Sequence, residues 1–206
     1  MAKTVKTGRP KKGSEEARRE AIVDAARRVF ARHGYGAATI DAIAREAGAA
    51  KRTLYEGFGD KAGLFRAVIA AEAGAVLGAP GAQPGLRAQL EAFAHAVFTR
   101  IHTEEKAAIY RMVVSEAKAF PGLARDFHAN GPGRGVAVVS GLLRAAAKRG
   151  EIACPDPRGA ARHFASLLVG EPHLRLVLGL AKPPGPARAK AEARATVDFF
   201  LRALAR

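Results

Sequence analysis

Apolar residues recur every three or four positions along most of this chain, which is the spacing of one face of an α-helix. Residues 39–58 show the pattern most clearly, as two short helices around a tight turn. Thr39 is a good N-cap for the first helix, and Gly48 supplies the left-handed residue that ends it. The apolar stripe between them consists of Ile40, Ile43, Ala44 and Ala47.

The second short helix separates its buried and exposed sides. Ala50, Leu54 and Phe58 lie on the predicted buried side. At 100° per residue, Arg52 and Glu56 lie nearly opposite, with Lys51, Thr53 and Tyr55 on the flanks. Two helices around a glycine turn, the second presenting basic and hydrogen-bonding side chains, indicate a helix-turn-helix that binds DNA. An ordinary helical hairpin with a charged solvated face has the same periodicity.

The flanking segments favour the DNA-binding interpretation. A helix with Ile22, Ala26, Val29, Phe30 and His33 on one face precedes the motif, and a helix opened by Asp60-Lys61 follows it. Residues 16–76 resemble the N-terminal domain of TetR-type transcriptional regulators. The matching parts are F-x-x-x-G-Y before Thr39, then I-A-x-x-A-G, T-L-Y-x-x-F and K-x-x-L-F. The resemblance implies a three-helix DNA-binding domain.

Composition agrees with a polyanionic partner. The chain has 34 Lys and Arg against 19 Asp and Glu, for a formal net charge of +15. The first residues of the chain are basic and lack apolar periodicity, so we expect residues 1–15 to form a disordered arm. Within it, Arg9 in Gly8-Arg9-Pro10-Lys11-Lys12 is a candidate for insertion into an A·T-rich minor groove. A solubilising tail is the alternative.

The residues between 78 and 85 are rich in Gly and Pro, which predicts a domain boundary. Beyond it, helices are expected at 86–102, 104–118, 121–129, 134–149, 157–180 and 187–205. The sequence YRMVVSEAKAFPGLARDFHANGPGRG, followed by Gly-Glu-Ile and Asp-Pro-x-x-Ala-Ala, is similar to the ligand-binding half of the AefR-like branch of the same family. The chain is therefore predicted to be all-α, with a helical ligand-binding and dimerisation domain at 86–206.

Membrane, metal and catalytic roles find little support. No signal peptide is evident, and charged residues interrupt the apolar run at 164–181, so we expect no membrane span and a cytoplasmic protein. The single Cys154 lies beside prolines with no histidine nearby, and the six histidines lack ligand-pair spacing. No glycine-rich phosphate loop follows a strand. We predict no enzyme, no cofactor and no metal site.

The resemblance implies a dimeric repressor that binds a near-palindromic double-stranded operator and is released by a small molecule of unknown identity. A constitutive architectural DNA-binding protein without a ligand is the alternative. Aromatic and aliphatic residues at helical spacing are candidate pocket walls, although such residues also form ordinary cores. These are Phe93, Val97, Tyr110, Val114, Phe127 and Phe164.

The homodimer interface is predicted from wide apolar faces on the last two expected helices, which one thin layer cannot hide. These faces contain Phe164, Leu167, Leu168, Leu174 and Leu178 on the first, and Ala193, Val197, Phe200, Leu201 and Leu204 on the second.

Individual DNA contacts can also be assigned. Thr39 and Lys51 suit phosphate binding, and the resemblance assigns Tyr55 and Lys61 to the DNA backbone. Many relatives have glycine at the position of Arg52, and an aromatic followed by histidine at the positions of Glu56 and Gly57. We therefore expect Glu56 to position Arg52 for a bidentate contact with guanine. Since glycine weakens a helix, the last turn before Phe58 is expected to order only on DNA.

Overall fold

The computed structural model describes residues 12–81 and 83–204, and it divides the chain into two compact units that meet between Val68 and Ile69. The described residues form eleven α-helices and no strand, which confirms the all-α prediction. The first helices are α1 (Lys12–Ala37), α2 (Ile40–Ala47), α3 (Lys51–Phe58) and α4 (Lys61–Leu77). The division falls inside α4, which begins in the first unit and ends in the second, whereas the sequence predicted a boundary at the Gly- and Pro-rich residues 78–85.

The core of the first unit is built around three aromatic rings. Phe30, Tyr35 and Phe65 pack with their ring centres 5.7 Å apart in each pair, and all three side chains are buried. Ile43 of α2 and Leu54 of α3 are also buried, as their periodicity predicted. Since these rings belong to the F-x-x-x-G-Y and K-x-x-L-F motifs, the motifs are explained by aromatic packing between α1 and the first turns of α4.

Helix α1 differs from its prediction at its beginning. It begins at Lys12, so residues 12–15 of the expected disordered arm are helical. Glu15 in the first turn favours this earlier start, because an acidic side chain stabilises the positive end of the helix dipole. At the other end, Gly34 has φ 77°, ψ 170° and interrupts the helical geometry. Arg9 lies outside the described residues.

The second unit continues beyond the Gly- and Pro-rich loop. Its helices are α5 (Gly85–Arg100), α6 (Glu104–Glu116), α7 (Pro121–Asn130), α8 (Pro132–Lys148), α9 (Pro157–Val169), α10 (Glu171–Val177) and α11 (Pro186–Ala203). The expected single helix at 157–180 was wrong, because it breaks at Gly170. Pro172 has no N–H to donate, and its ring would clash with a carbonyl one turn earlier if α9 continued.

The core of this unit lies between α5, α8, α9 and α11. It contains five residues predicted for the dimer interface, which are Phe164, Leu168, Ala193, Val197 and Phe200, each at most 5% exposed. Their assignment as contact residues is corrected, since their own chain already covers them. Leu201 and Leu204 pack partly buried against this core. Of the predicted interface residues, Leu167, Leu174 and Leu178 are exposed.

Candidate nucleic-acid interface

The turn between α2 and α3 is fixed by local hydrogen bonds. The Thr39 hydroxyl accepts from the Ala42 N–H at 3.1 Å, which caps α2 and leaves its own O–H free to donate. Gly48 adopts the left-handed conformation, φ 61° and ψ 32°, and its N–H bonds back into α2. The next N–H, of Ala49, donates to the Ala44 carbonyl at 3.0 Å. These bonds set the direction in which α3 leaves the turn.

Helix α3 presents a charged outer face. The Arg52 side chain is 87% exposed, and its Nε lies 2.6 Å from Glu56 Oε1, four residues further on. The hydrogen bond to Glu56 raises the pKa of the Arg52 guanidinium. Leu54, on the opposite side of the helix, is buried. The ion pair expected from the four-residue spacing therefore exists, and it leaves the terminal nitrogen atoms of Arg52 directed away from the core.

The flanks of α3 differ from one another. Tyr55 is 54% exposed, and Thr53 is half-buried. Lys51 Nζ lies 2.6 Å from Asp41 Oδ2 of α2, with both side chains more than half exposed. A phosphate would have to replace this carboxylate, so the assignment of Lys51 to phosphate stays a prediction.

Lys61 holds the protein rather than projecting to solvent. Its ammonium donates to the carbonyls of Tyr35, Gly36 and Ala38 at 2.7, 3.2 and 3.0 Å, and it lies 4.6 Å from the centre of the Tyr35 ring. An ammonium has three N–H donors, and these carbonyls engage all three. These contacts favour a cap on the end of α1 beyond Gly34. The assignment of Lys61 to the DNA backbone stays a prediction.

The last turn of α3 is also held from outside the motif. Arg19 of α1 donates from Nη1 to the Gly57 carbonyl at 3.0 Å, and its guanidinium lies 4.5 Å from the centre of the Phe58 ring. Helix α3 runs through Phe58, and these two contacts support its last turn. The expectation that this turn orders on DNA stays a prediction. Periodicity gave no sign of this contact, because the two residues lie 38 positions apart.

A second group of ion pairs connects α1 to α2. Glu46 accepts from Arg28 at 2.9 Å and from Arg32 at 2.6 Å. These two hydrogen bonds, that of Arg28 foremost, lower the pKa of the Glu46 carboxyl. The two arginines lie one helical turn apart on α1, and this spacing in the sequence indicates that they can share one acidic partner. The spacing does not identify Glu46 as that partner.

The predicted pocket residues separate into two groups. Phe93, Val97 and Phe164 are buried in the core of the second unit, where the rings of Phe93 and Phe164 lie 6.5 Å apart. Tyr110 and Phe127 meet elsewhere, at 6.1 Å between ring centres. Val114 is 61% exposed, so its place as a pocket wall is corrected. The assignment of the other five residues to a ligand pocket stays a prediction.

The single cysteine of the chain is buried and unreactive. Burial and the nearby Asp156 raise the pKa of the Cys154 thiol, which keeps it protonated and weakly nucleophilic. Within 12–81 and 83–204, no group of three or more His, Cys, Asp or Glu side chains is placed to hold a metal ion. None of the helices in these ranges is both long and apolar enough to cross a membrane.

Comparisons with known proteins agree with this geometry. Residues 22–68 match the family described as bacterial regulatory proteins, tetR family, and residues 88–206 match the AefR-like transcriptional repressor C-terminal domain. The HTH-type transcriptional regulator SrpR of Pseudomonas putida is 26% identical over 137 residues, which are 66% of this chain and 64% of SrpR. The match thus spans slightly less than two thirds of that relative's length.

Solved structures are similar over nearly the whole chain. A TetR-family transcriptional regulator from Mesorhizobium loti has a TM-score of 0.76 at 25% identity, covering 93% of this chain and 98% of that one. The flavonoid-responsive regulator FrrA has a TM-score of 0.69 at 31% identity, covering 91% and 97%. These proteins are regulators rather than enzymes, and regulators of this family bind operators as dimers. The chain therefore belongs to the TetR family of bacterial transcriptional regulators and carries an AefR-like C-terminal domain.

Proposed function

We propose that this protein is a dimeric repressor that binds a near-palindromic operator through α3 and leaves it when a small molecule binds the second unit. The observation that carries the proposal is the outer face of α3, where Arg52 and Glu56 form an exposed ion pair 2.6 Å apart. An arginine held in this way presents its guanidinium edge to a base pair in the major groove, and guanine O6 and N7 are its preferred partners.

If Arg52 reads a base, its removal must change which DNA sequences the protein prefers, so the test compares the binding preferences of the wild type and the variant. The full-length protein and Arg52→Ala are each used to select sites from a random DNA library, and the selected operator is then competed against random DNA at fixed salt. We expect the substitution to cost about 1–3 kcal/mol on the operator and to relax one guanine per half-site. Lys51→Ala is the matched control, because loss of a phosphate contact weakens operator and random DNA alike.

Two results would contradict the proposal. The same selected motif for the wild type and Arg52→Ala would exclude base reading by this residue. A wild type that binds random DNA nearly as well as any selected site would favour the constitutive architectural protein. The net charge of +15 would be sufficient for such binding, because it attracts the DNA backbone without regard to sequence.

Dimerisation is proposed through α9, α10 and α11. Large apolar side chains remain exposed on these helices and on the turn after α10, and such a surface is normally covered. They are Leu167, Leu174, Leu178, Leu180 and Phe199, between 38% and 66% exposed. A partner subunit with the same face would cover them around a two-fold axis, which also sets the spacing of two α3 helices on one operator.

The response to a ligand is proposed to pass through α6 and α4. Lys106 of α6 pairs with Glu72 of α4 at 2.5 Å, and both side chains are largely buried, at 12% and 26% exposed. A ligand that displaces α6 therefore acts on the helix that begins beside the DNA-binding motif. The flavonoid response stated for FrrA supports a planar aromatic ligand for this chain as well.

A further inference from the structure

A row of five aromatic rings crosses the second unit and brings four helices together. Phe98 of α5 contacts His102, just beyond α5, with 4.9 Å between ring centres. His102 lies 5.3 Å from His173 of α10, which lies 5.2 Å from Tyr110 of α6. Phe127 of α7 completes the row at 6.1 Å from Tyr110. We call these five residues the histidine–aromatic cluster.

Both imidazoles of the cluster are buried with a nitrogen atom that lacks a partner. His102 is 2% exposed and His173 is 7% exposed. Among the residues that the structure describes, His102 Nε2 and His173 Nδ1 make no hydrogen bond. Buried polar atoms in proteins are nearly always paired, so two such atoms on adjacent rings indicate a group that arrives from outside.

We propose that the histidine–aromatic cluster is the recognition site for a hydroxylated aromatic ligand, whose O–H donates to His102 Nε2 and whose ring packs among Phe98, Tyr110 and Phe127. This inference rests on the proposed ligand response and assigns its site. Tyr110 is 38% exposed, so the row reaches the surface at this ring, where a ligand can enter by displacing it.

The protonation state of the imidazoles favours a neutral hydroxyl over a carboxylate. Burial, assisted by His173, lowers the pKa of His102 to about 4, and burial also lowers the pKa of His173. At neutral pH neither ring offers a positive charge to an anion. A backbone hydrogen bond with Leu168 acts on His102 in the opposite direction. Since Nε2 has no partner, that bond uses Nδ1 and leaves Nε2 as an acceptor for an O–H donor.

The cluster also connects to the proposed response. Tyr110 lies one helical turn after Lys106 on α6, and Lys106 is the residue that pairs with Glu72 of α4. A ligand that moves the Tyr110 ring therefore acts on the same helix whose other contact reaches α4. The recognition site and the proposed transmission path thus share α6.

The test measures binding directly on the full-length protein without DNA. Isothermal titration compares a hydroxylated flavone with unsubstituted flavone, for the wild type, for His102→Phe and for His173→Phe. These substitutions keep a ring and remove the nitrogen atoms. His95→Gln, at an exposed position on α5, is the matched control. We expect the wild type to prefer the hydroxylated compound by at least tenfold and His102→Phe to abolish that preference, with His95→Gln unchanged.

A second measurement does not depend on any variant folding. In the wild type labelled with ¹⁵N histidine, the hydroxylated flavone should shift the Nε2 resonance of His102 and leave that of His95 in place. Failure of the hydroxylated flavone to bind, equal affinity for both flavones, or an unmoved His102 resonance would each overturn the assignment. Binding with the expected shift but without release of a selected operator would instead overturn the proposed repressor release and leave the site intact.

Discussion

Removing the ammonium of Lys61 is predicted to destabilise the DNA-binding unit without removing a DNA contact. The three carbonyls that accept from this group lie just after the last regular turn of α1, where no helical N–H reaches them. Lys61→Ala leaves these carbonyls to water or unpaired, and it also removes the cation from the face of the Tyr35 ring.

The size of the effect follows from these contacts. A hydrogen bond that involves a charged group contributes roughly 1.5–3 kcal/mol, and an exposed cation–π contact about 0.5–1 kcal/mol. The contributions do not add, because a single half-buried group makes all of them and water can replace some. We therefore expect Lys61→Ala to lower the free energy of unfolding by about 2–4 kcal/mol, a large part of the 5–15 kcal/mol typical of a domain.

Two assays separate this role from a phosphate contact. Urea unfolding followed by circular dichroism gives the stability, and DNA affinity at several salt concentrations gives the salt slope. Lys61→Ala should lose stability and keep the slope, whereas Lys51→Ala should lose about one unit of slope with little change in stability. A Lys61→Ala protein as stable as the wild type, with the slope reduced by one unit, would refute the capping role and restore the phosphate anchor.

Three further outcomes are expected. Gly63→Ala should destabilise the protein strongly, because a Cβ there would lie 1.8 Å from the Phe58 carbonyl oxygen. Gly57→Ala, where a Cβ meets open space, should be neutral or stabilise the protein by about 1 kcal/mol. Thermal unfolding compares the two variants, and equal changes in stability would contradict the close approach at Gly63. Phe199→Asp should yield a folded monomer in light scattering, because Phe199 is exposed on the proposed dimer face. Phe200→Asp should unfold the chain, because it buries a charge in the core. A Phe199→Asp protein that remains dimeric would exclude this face of α11 from the dimer interface. The pKa of His102 falls from 6.5 to about 4 on folding, so protonation of this imidazole at low pH favours the unfolded chain. The free energy of unfolding should therefore be unaffected by His102 above pH 6.5 and should decline by up to about 3 kcal/mol as the pH falls toward 4. His102→Phe should flatten that decline in urea titrations, and an unchanged decline would contradict the assignment.

Local patterns were sufficient for most helices and for the DNA-binding motif. Thr39 caps α2 and Gly48 ends it as expected, because capping and left-handed turns depend on residues within one helical turn of each other. The pairing of Arg52 with Glu56 has the same local origin. The break at Gly170 was also visible in Gly-Glu-Pro, yet the apolar periodicity across it outweighed the proline in the prediction.

The sequence by itself determined the family, the helical architecture and the outer face of α3, since each depends on composition or on neighbours a few positions apart. Only the tertiary structure decided that Lys61 caps the end of α1, that Arg19 holds the end of α3, and that Phe200 faces the core while Phe199 faces solvent. The same is true of the meeting of His102 with His173. Each of these outcomes depends on which distant helix packs against a given face, and periodicity specifies that a face is buried without specifying its partner.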